Sequence, residues 1–190
     1  MNHPKSTLGE KRSHLQGRSL AVGVILLVLL LTNLLVIFCF SSADRKESGE
    51  MSAGVTRYLL ERIYPDYDDM SSADREALLQ KTHKFVRKAA HFSEFALLGF
   101  LSAGLLLWVS DHLYSMSPWK TWLYPAAFTL LYAASDEIHQ IFTNRGPRFT
   151  DVLIDFVGAL FGILLIHGGV GLISRCRKGK DPAETDEKEA

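Results

Sequence analysis

Long apolar runs separated by polar junctions dominate the chain, and this pattern is typical of membrane-spanning helices. Residues 20–40 carry no charged side chain. As an α-helix this run extends roughly 31 Å, about the thickness of one hydrocarbon core. A cleaved signal peptide has a shorter apolar stretch, of about 7–15 residues. The run therefore predicts an anchored transmembrane helix, with cleavage near Ser41-Ser42-Ala43 as the alternative.

Three further apolar runs predict three more spans. They cover about residues 90–109, 119–135 and 152–173, and the middle run leaves open an extension through the polar letters DEIHQIF. Each is long enough, or nearly long enough, to cross a bilayer as a helix. The predicted fold is an all-α membrane protein whose four transmembrane helices form one domain over residues 19–174.

The region between the first two spans, residues 41–89, is too long for a simple connection and carries helical signals. Apolar residues recur there at four-residue spacing, at Val55, Leu59 and Ile63. Ser71 or Ser72 is a suitable N-cap for a second helix, which then runs without a breaker into the next span, over about residues 72–109. The sequence predicts an amphipathic helical segment here, and the first half of the helix from about residue 72 either stands outside the bilayer or lies on its surface.

Positive charge near the span ends predicts the orientation. The N-terminal segment, residues 1–18, is rich in Lys and Arg, and so is the start of the tail at residues 175–190, which its composition predicts to be disordered. Both termini are therefore predicted to be cytoplasmic, in a multi-pass protein of the cell membrane. The polar junctions 41–89 and 136–151 then lie outside. The formal net charge of zero gives no support for nucleic-acid binding.

Ionisable residues collect at one end of three predicted spans. His91 and Glu94 share a helix face at three-residue spacing, and Asp151 and Asp155 do so at four-residue spacing. Asp136 and Gln140 share a face on the span between them. Because alternate spans reverse direction, all three ends lie on the same side of the membrane. The candidate site comprises Lys88, His91, Glu94, Asp136, Glu137, Gln140, Arg145, Arg148, Asp151 and Asp155.

A stripe on the last span continues from its aspartates to glycines, through Asp151, Asp155, Gly158 and Gly162. Glycines at this spacing let two helix backbones approach closely, so the stripe is predicted to face the bundle. A carboxylate inside the bilayer is costly and needs a partner or water. Arg145 and Arg148 in the adjoining junction are the predicted partners of Asp155, since arginine pairs well with carboxylates.

Three interpretations of these residues remain open. They can cap helices and fix the packing, bind an anionic lipid headgroup or another envelope ligand, or form a metal or catalytic site. His91, Glu94, Asp136, Glu137 and His139 are acceptable ligands for zinc or another divalent ion, but the spacing lacks the two-histidine helix signature of the zincins. No serine, cysteine or phosphate-loop motif gives a stronger catalytic signal. The sequence therefore predicts neither a metal nor a cofactor.

Three motifs in order resemble the VanZ-like family of small bacterial membrane proteins. RKAAHFSEF opens one helix, DEIHQIF closes the next, and RGPRFTD precedes a glycine-containing apolar run. The FSS letters at 40–42 also look like the family. The chain departs from the family in carrying Thr143-Asn144 where Pro-Gly is common, and Asp155 where many members carry Asn. His139 falls on a variable position of the motif.

The resemblance implies an integral membrane protein of the bacterial envelope, and the namesake of the family contributes to teicoplanin resistance. The expected function is a polar extracytoplasmic site that binds an anionic envelope component, such as an anionic lipid or a lipid-linked cell-wall precursor, and influences glycopeptide susceptibility. The alternative is a membrane-embedded hydrolase or transferase acting on a lipid-linked substrate. A third possibility is a structural subunit. Neither the motifs nor the resemblance predicts an oligomeric state.

Overall fold

The computed structural model describes residues 6–42, 45–67, 69–142 and 149–178 of the chain. These residues form five helices, and the described ranges contain no strand, as predicted for an all-α protein. The helices are α1 (Ser6–Ser42), α2 (Arg45–Ile63), α3 (Ser72–His112), α4 (Pro118–Phe142) and α5 (Phe149–Lys178).

Three of these helices are long and apolar enough to cross a membrane: α1 over Ser19–Ser42, α3, and α5 over Phe149–Cys176. α4 has 25 residues but does not meet this criterion of length and composition. The reason is its polar content, because Lys120 lies near one end and Asp136 and Glu137 near the other. α4 also continues through the polar letters DEIHQIF to Phe142, so the outer junction expected over residues 136–151 begins later than predicted.

α3 is one unbroken helix of 41 residues, which confirms the continuous helix predicted from about residue 72. Its N-cap is Ser71, whose hydroxyl oxygen accepts a hydrogen bond of 3.2 Å from the backbone N–H of Asp74. A helix of this length extends roughly 61 Å, about twice the thickness of a hydrocarbon core. One half of α3 therefore lies beyond any bilayer that the other half spans.

α2 packs against α3, and the side that it buries is not the one marked by its apolar spacing. Val55 and Ile63 are exposed, whereas Thr56 and Leu60 are buried, as is Tyr67 in the turn that follows. The apolar spacing at Val55, Leu59 and Ile63 therefore indicates a helix but does not mark its buried side. Among the described residues α3 is the neighbour with which α2 makes its main contact, so only a narrow side of α2 is buried, and apolar residues outside that side remain exposed.

α3 and α5 form the most extensive helix contact among the described residues, and glycines make it possible. A Cβ atom at Gly162 would meet the backbone carbonyl oxygen of Ala96, and one at Gly99 would meet that of Ala159. Gly158 likewise lies against the carbonyl oxygen of Phe92. The predicted inward stripe of α5 is confirmed, and close backbone approach explains why glycine occupies these positions.

Side-chain hydrogen bonds fix the levels at which the helices meet. At one end of the bundle, the Trp108 indole N–H donates to the Ser19 carbonyl over 2.9 Å, joining α3 to α1. At the opposite end, the Ser42 hydroxyl lies 3.0 Å from His139 Nε2, joining α1 to α4. Between these levels, the Tyr132 hydroxyl donates to the Leu34 carbonyl over 2.8 Å. α4 therefore runs alongside α1 in the same direction.

Candidate functional site

α3 contributes one face of the candidate site at the start of its buried half. Arg87, His91 and Glu94 follow at spacings of four and three residues, so they lie on one side of the helix. Arg87 and His91 are partly buried, and so is Glu94. This side of α3 faces α5, which supplies the opposing carboxylates.

α5 places Asp151 and Asp155 one turn apart in its first two turns, directly opposite these α3 residues. Arg87 Nη2 lies 3.6 Å from Asp151 Oδ2, and His91 Nδ1 lies 3.7 Å from Asp155 Oδ1. The Asp155 side chain is only 2% exposed, whereas the Arg87 side chain is 34% exposed. The α3–α5 contact therefore carries an outer ion pair open to solvent and an inner, buried His–Asp pair.

α4 closes the site with the last two turns of its helix. Asp136, Glu137 and Gln140 are all buried, and Gln140 Nε2 donates to Asp136 Oδ2 over 3.0 Å. They continue a buried stripe that includes Thr129 and Ala133. The stripe predicted on this helix is thus the side that meets the other helices.

These three contributions form one group, here called the polar cluster. Asp155 lies close enough to interact electrostatically with Asp136, Asp151, Glu137 and Glu94. The cluster comprises Arg87, His91, Glu94, Asp136, Glu137, Gln140, Asp151 and Asp155. Its described members are predominantly acidic, although carboxylates are costly to bury. Oδ1 of Asp155 is fully buried and has no hydrogen-bond partner among the residues that the structure describes.

The predicted cations are only partly located by the structure. Lys88 is exposed at the edge of a narrow crevice, too small to hold a water molecule, that is lined by Arg87, His91, Asp151 and Ile154 as well. Arg145 and Arg148 lie outside the described residues, and so does the departure at Thr143-Asn144. The predicted pairing of Asp155 with these arginines consequently stays a prediction, whereas the described neighbour of Asp155 is His91.

Two features of the site were missed at the level of sequence. Arg87 was not selected, although it precedes His91 by four residues and must share its helix face. His139 and Ser42 were not recognised as neighbours; the His139 ring also lies 4.9 Å from the Phe38 ring, between ring centroids. Only the FSS letters of the resemblance pointed to this end of α1.

No group of three or more His, Cys, Asp or Glu side chains is arranged to hold a metal ion within the described part of the chain. Cys39 and Cys176 are both exposed and unbridged. In chemical terms, the arrangement offers a buried, carboxylate-rich centre and basic side chains at its rim. Basic side chains at a surface bind carboxylates or phosphates, and Arg does so with two parallel hydrogen bonds.

The apolar helices and the buried ionisable residues between them define the class: a helical membrane protein with a polar cluster between its helices. The particular family follows from comparison. The VanZ/LLP1 family model matches residues 24–173, so the chain belongs to this family. That range contains every member of the polar cluster. Comparison with curated proteins found no match, and comparison with solved structures found none either.

Proposed function

We propose that this VanZ/LLP1 protein crosses the membrane four times, with α4 as the third span. The Thr121 hydroxyl lies 3.3 Å from His167 Nε2 near the end of α5, while His139 meets Ser42 at the end of α1. The helix between Thr121 and His139 is roughly 27 Å long, close to the hydrocarbon thickness of about 30 Å. α4 therefore covers the same depth as its neighbours. An even number of spans leaves both termini on one side, and the Lys and Arg residues near both ends place that side in the cytoplasm.

Cysteine labelling tests this topology. In a Cys39→Ser/Cys176→Ser background, we expect an impermeant maleimide to label Gly54→Cys and Phe142→Cys in intact cells, and Tyr114→Cys only after lysis. All three positions are exposed. If α4 does not cross the membrane, Tyr114→Cys and Phe142→Cys will behave alike, whichever side they occupy. Labelling of all three in lysed cells controls for reactivity.

We further propose that the rim of the polar cluster binds a phosphate-bearing component of the envelope at the extracytoplasmic face. The observation that carries this proposal is the loose engagement of Arg87. Its contact of 3.6 Å with Asp151 exceeds the roughly 2.7–2.9 Å of a direct charge-assisted hydrogen bond. The Arg87 side chain is one-third exposed and lies beside Lys88, so both cations remain available to an anionic group.

The α5 carboxylates of the polar cluster serve to position Arg87 at its rim. Asp151 faces Arg87, and Asp155 lies one turn deeper against His91. The crevice beside Arg87, His91 and Asp151 has no space for a water molecule. The ligand therefore contacts the rim and does not enter the cluster. A lipid phosphate meets this requirement, since its headgroup lies at the level where the bilayer ends. A lipid-linked cell-wall precursor is the member of this class that connects the protein to glycopeptide susceptibility.

A cell-based comparison tests this function. We expect Arg87→Ala and Asp151→Ala strains to show the same altered teicoplanin susceptibility as a deletion strain, provided that the proteins reach normal abundance. Arg57→Ala is the matched control, because Arg57 is exposed and pairs only locally with Glu61 at 3.0 Å. If the two cluster variants behave as wild type while the deletion differs, the polar cluster is not the functional site.

Purified protein gives a direct test of binding. A lipid-linked precursor carrying a fluorescent group should bind the wild type at least tenfold more tightly than Arg87→Ala, since hydrogen bonds to charged groups contribute about 1.5–3 kcal/mol. Arg57→Ala should bind as the wild type does. Equal binding by all three proteins contradicts the proposed ligand. Consumption of the precursor by the wild type would instead indicate a hydrolase or transferase.

A further inference from the structure

The first half of α3 carries a basic face that the polar cluster does not use. From Ala77 to Ala90 the chain contains Lys81, Lys84, Arg87 and Lys88 but no Asp or Glu. Arg87 turns towards Asp151, whereas the three lysines are exposed. Excess positive charge here runs against the usual distribution around an extracytoplasmic helix end, so it calls for a local explanation.

The three lysines share this face with an exposed aromatic side chain. At about 100° per residue, Lys81, Lys84, Phe85 and Lys88 fall within an arc of about 100°. Phe85 is 73% exposed. α2 does not cover this arc, because partly buried residues of the same stretch, among them Leu79 and Val86, lie on the other side of the helix. Lys81, Lys84, Phe85 and Lys88 are called the basic face below.

The position of the basic face along α3 identifies its surroundings. α3 is unbroken, and its apolar run begins at Ala90. Phe85 therefore lies roughly 7–8 Å and Lys84 roughly 9 Å beyond that point. The headgroup layer on each side of the hydrocarbon core is about 5–8 Å thick. Lysine side chains are long enough to reach from just outside this layer to the phosphates within it.

We infer that the basic face binds anionic phospholipid headgroups of the bilayer that the chain spans, with Phe85 inserted between them. Charge complementarity favours anionic over zwitterionic lipids, because the stretch 77–90 that carries these lysines contains no Asp or Glu. An exposed aromatic ring is stable at this level, where one side meets apolar tails and the other meets water. The inference is independent of the proposed ligand at the rim of the polar cluster, apart from the shared Lys88.

Native mass spectrometry of the full chain in detergent tests the inference. Binding of phosphatidylglycerol is compared with binding of phosphatidylcholine for the wild type and for Lys81→Gln/Lys84→Gln, which leaves Lys88 and the polar cluster intact. We expect phosphatidylglycerol affinity to fall about fivefold per lysine removed and phosphatidylcholine affinity to stay unchanged. Arg57→Gln/Arg62→Gln, which removes the same charge from α2, should bind phosphatidylglycerol nearly as the wild type does. An equal loss in both double variants overturns the assignment.

A second measurement reports on Phe85 itself. An environment-sensitive fluorophore is attached to Phe85→Cys in a Cys39→Ser/Cys176→Ser background, and the protein is placed in nanodiscs that contain phosphatidylglycerol. Its emission should lie at a shorter wavelength than that of the same fluorophore on a reference peptide in detergent-free water. The same fluorophore on Tyr58→Cys should keep a water-like emission wavelength, because Tyr58 is exposed on α2 and not on the basic face of α3. Water-like emission from both positions would show that the basic face does not touch the headgroups.

Discussion

Replacing Gly162 with alanine is expected to lower the melting temperature of the detergent-purified protein by about 2–12 °C. The added Cβ would meet the Ala96 carbonyl oxygen and approach the Phe100 backbone nitrogen to 2.8 Å. Both are backbone atoms, so no side chain can rotate away and α3 and α5 must separate. Overpacking of this kind costs about 1–3 kcal/mol, and each kcal/mol corresponds to about 2–4 °C in a chain of this size.

Gly168→Ala is the matched control on the same helix. A Cβ at Gly168 meets nothing within 4 Å. Alanine there should leave the melting temperature unchanged or raise it slightly, because it has the higher helix propensity. The measurement is thermal unfolding, monitored either by size-exclusion chromatography or by fluorescence. Equal melting temperatures for the Gly162 variant and the wild type would mean that α3 and α5 are less closely packed than the structure shows.

Length and apolar composition are local properties, and they predicted α1, α3 and α5 well. The glycine–aspartate stripe of α5 also predicted its buried side, because neither residue type suits a lipid-facing position. For α2, apolar spacing indicates the helix but does not identify its buried side. Its apolar spacing described the residues of one helix, whereas the side that is buried depends on where α3 lies. Thr56 and Leu60 face α3, and Val55 and Ile63 do not.

Helical spacing likewise predicted which site residues share a face, but not how faces of different helices pair. Asp155 was matched with Arg145 and Arg148 because they are near in the chain. The described structure places His91 beside Asp155, since the glycines of α5 bring the two helices together one turn away. Spacing from His91 was sufficient to include Arg87 in the site. Its pairing with Asp151 required the three-dimensional arrangement.

Two substitutions of Asp155 should separate the need for a polar group from the need for a negative charge. Asp155 is buried near four other carboxylates, and burying like charges together is unfavourable. Asparagine keeps an oxygen that can accept a hydrogen bond beside His91 but removes the charge. We therefore expect Asp155→Asn to be as stable as the wild type or slightly more stable.

Asp155→Leu has the same number and branching of side-chain heavy atoms, but it is larger and has no hydrogen-bonding atom in the side chain. Placing it beside His91 should lower the free energy of unfolding by about 1–3 kcal/mol, the cost of removing one partner from a buried polar contact. Val157→Leu, on the exposed side of α5, controls for leucine itself and should be neutral. Thermal unfolding of the three variants checks the expectation. An asparagine variant as unstable as the leucine variant would show that the charge of Asp155, and not merely its hydrogen-bonding capacity, holds α3 and α5 together.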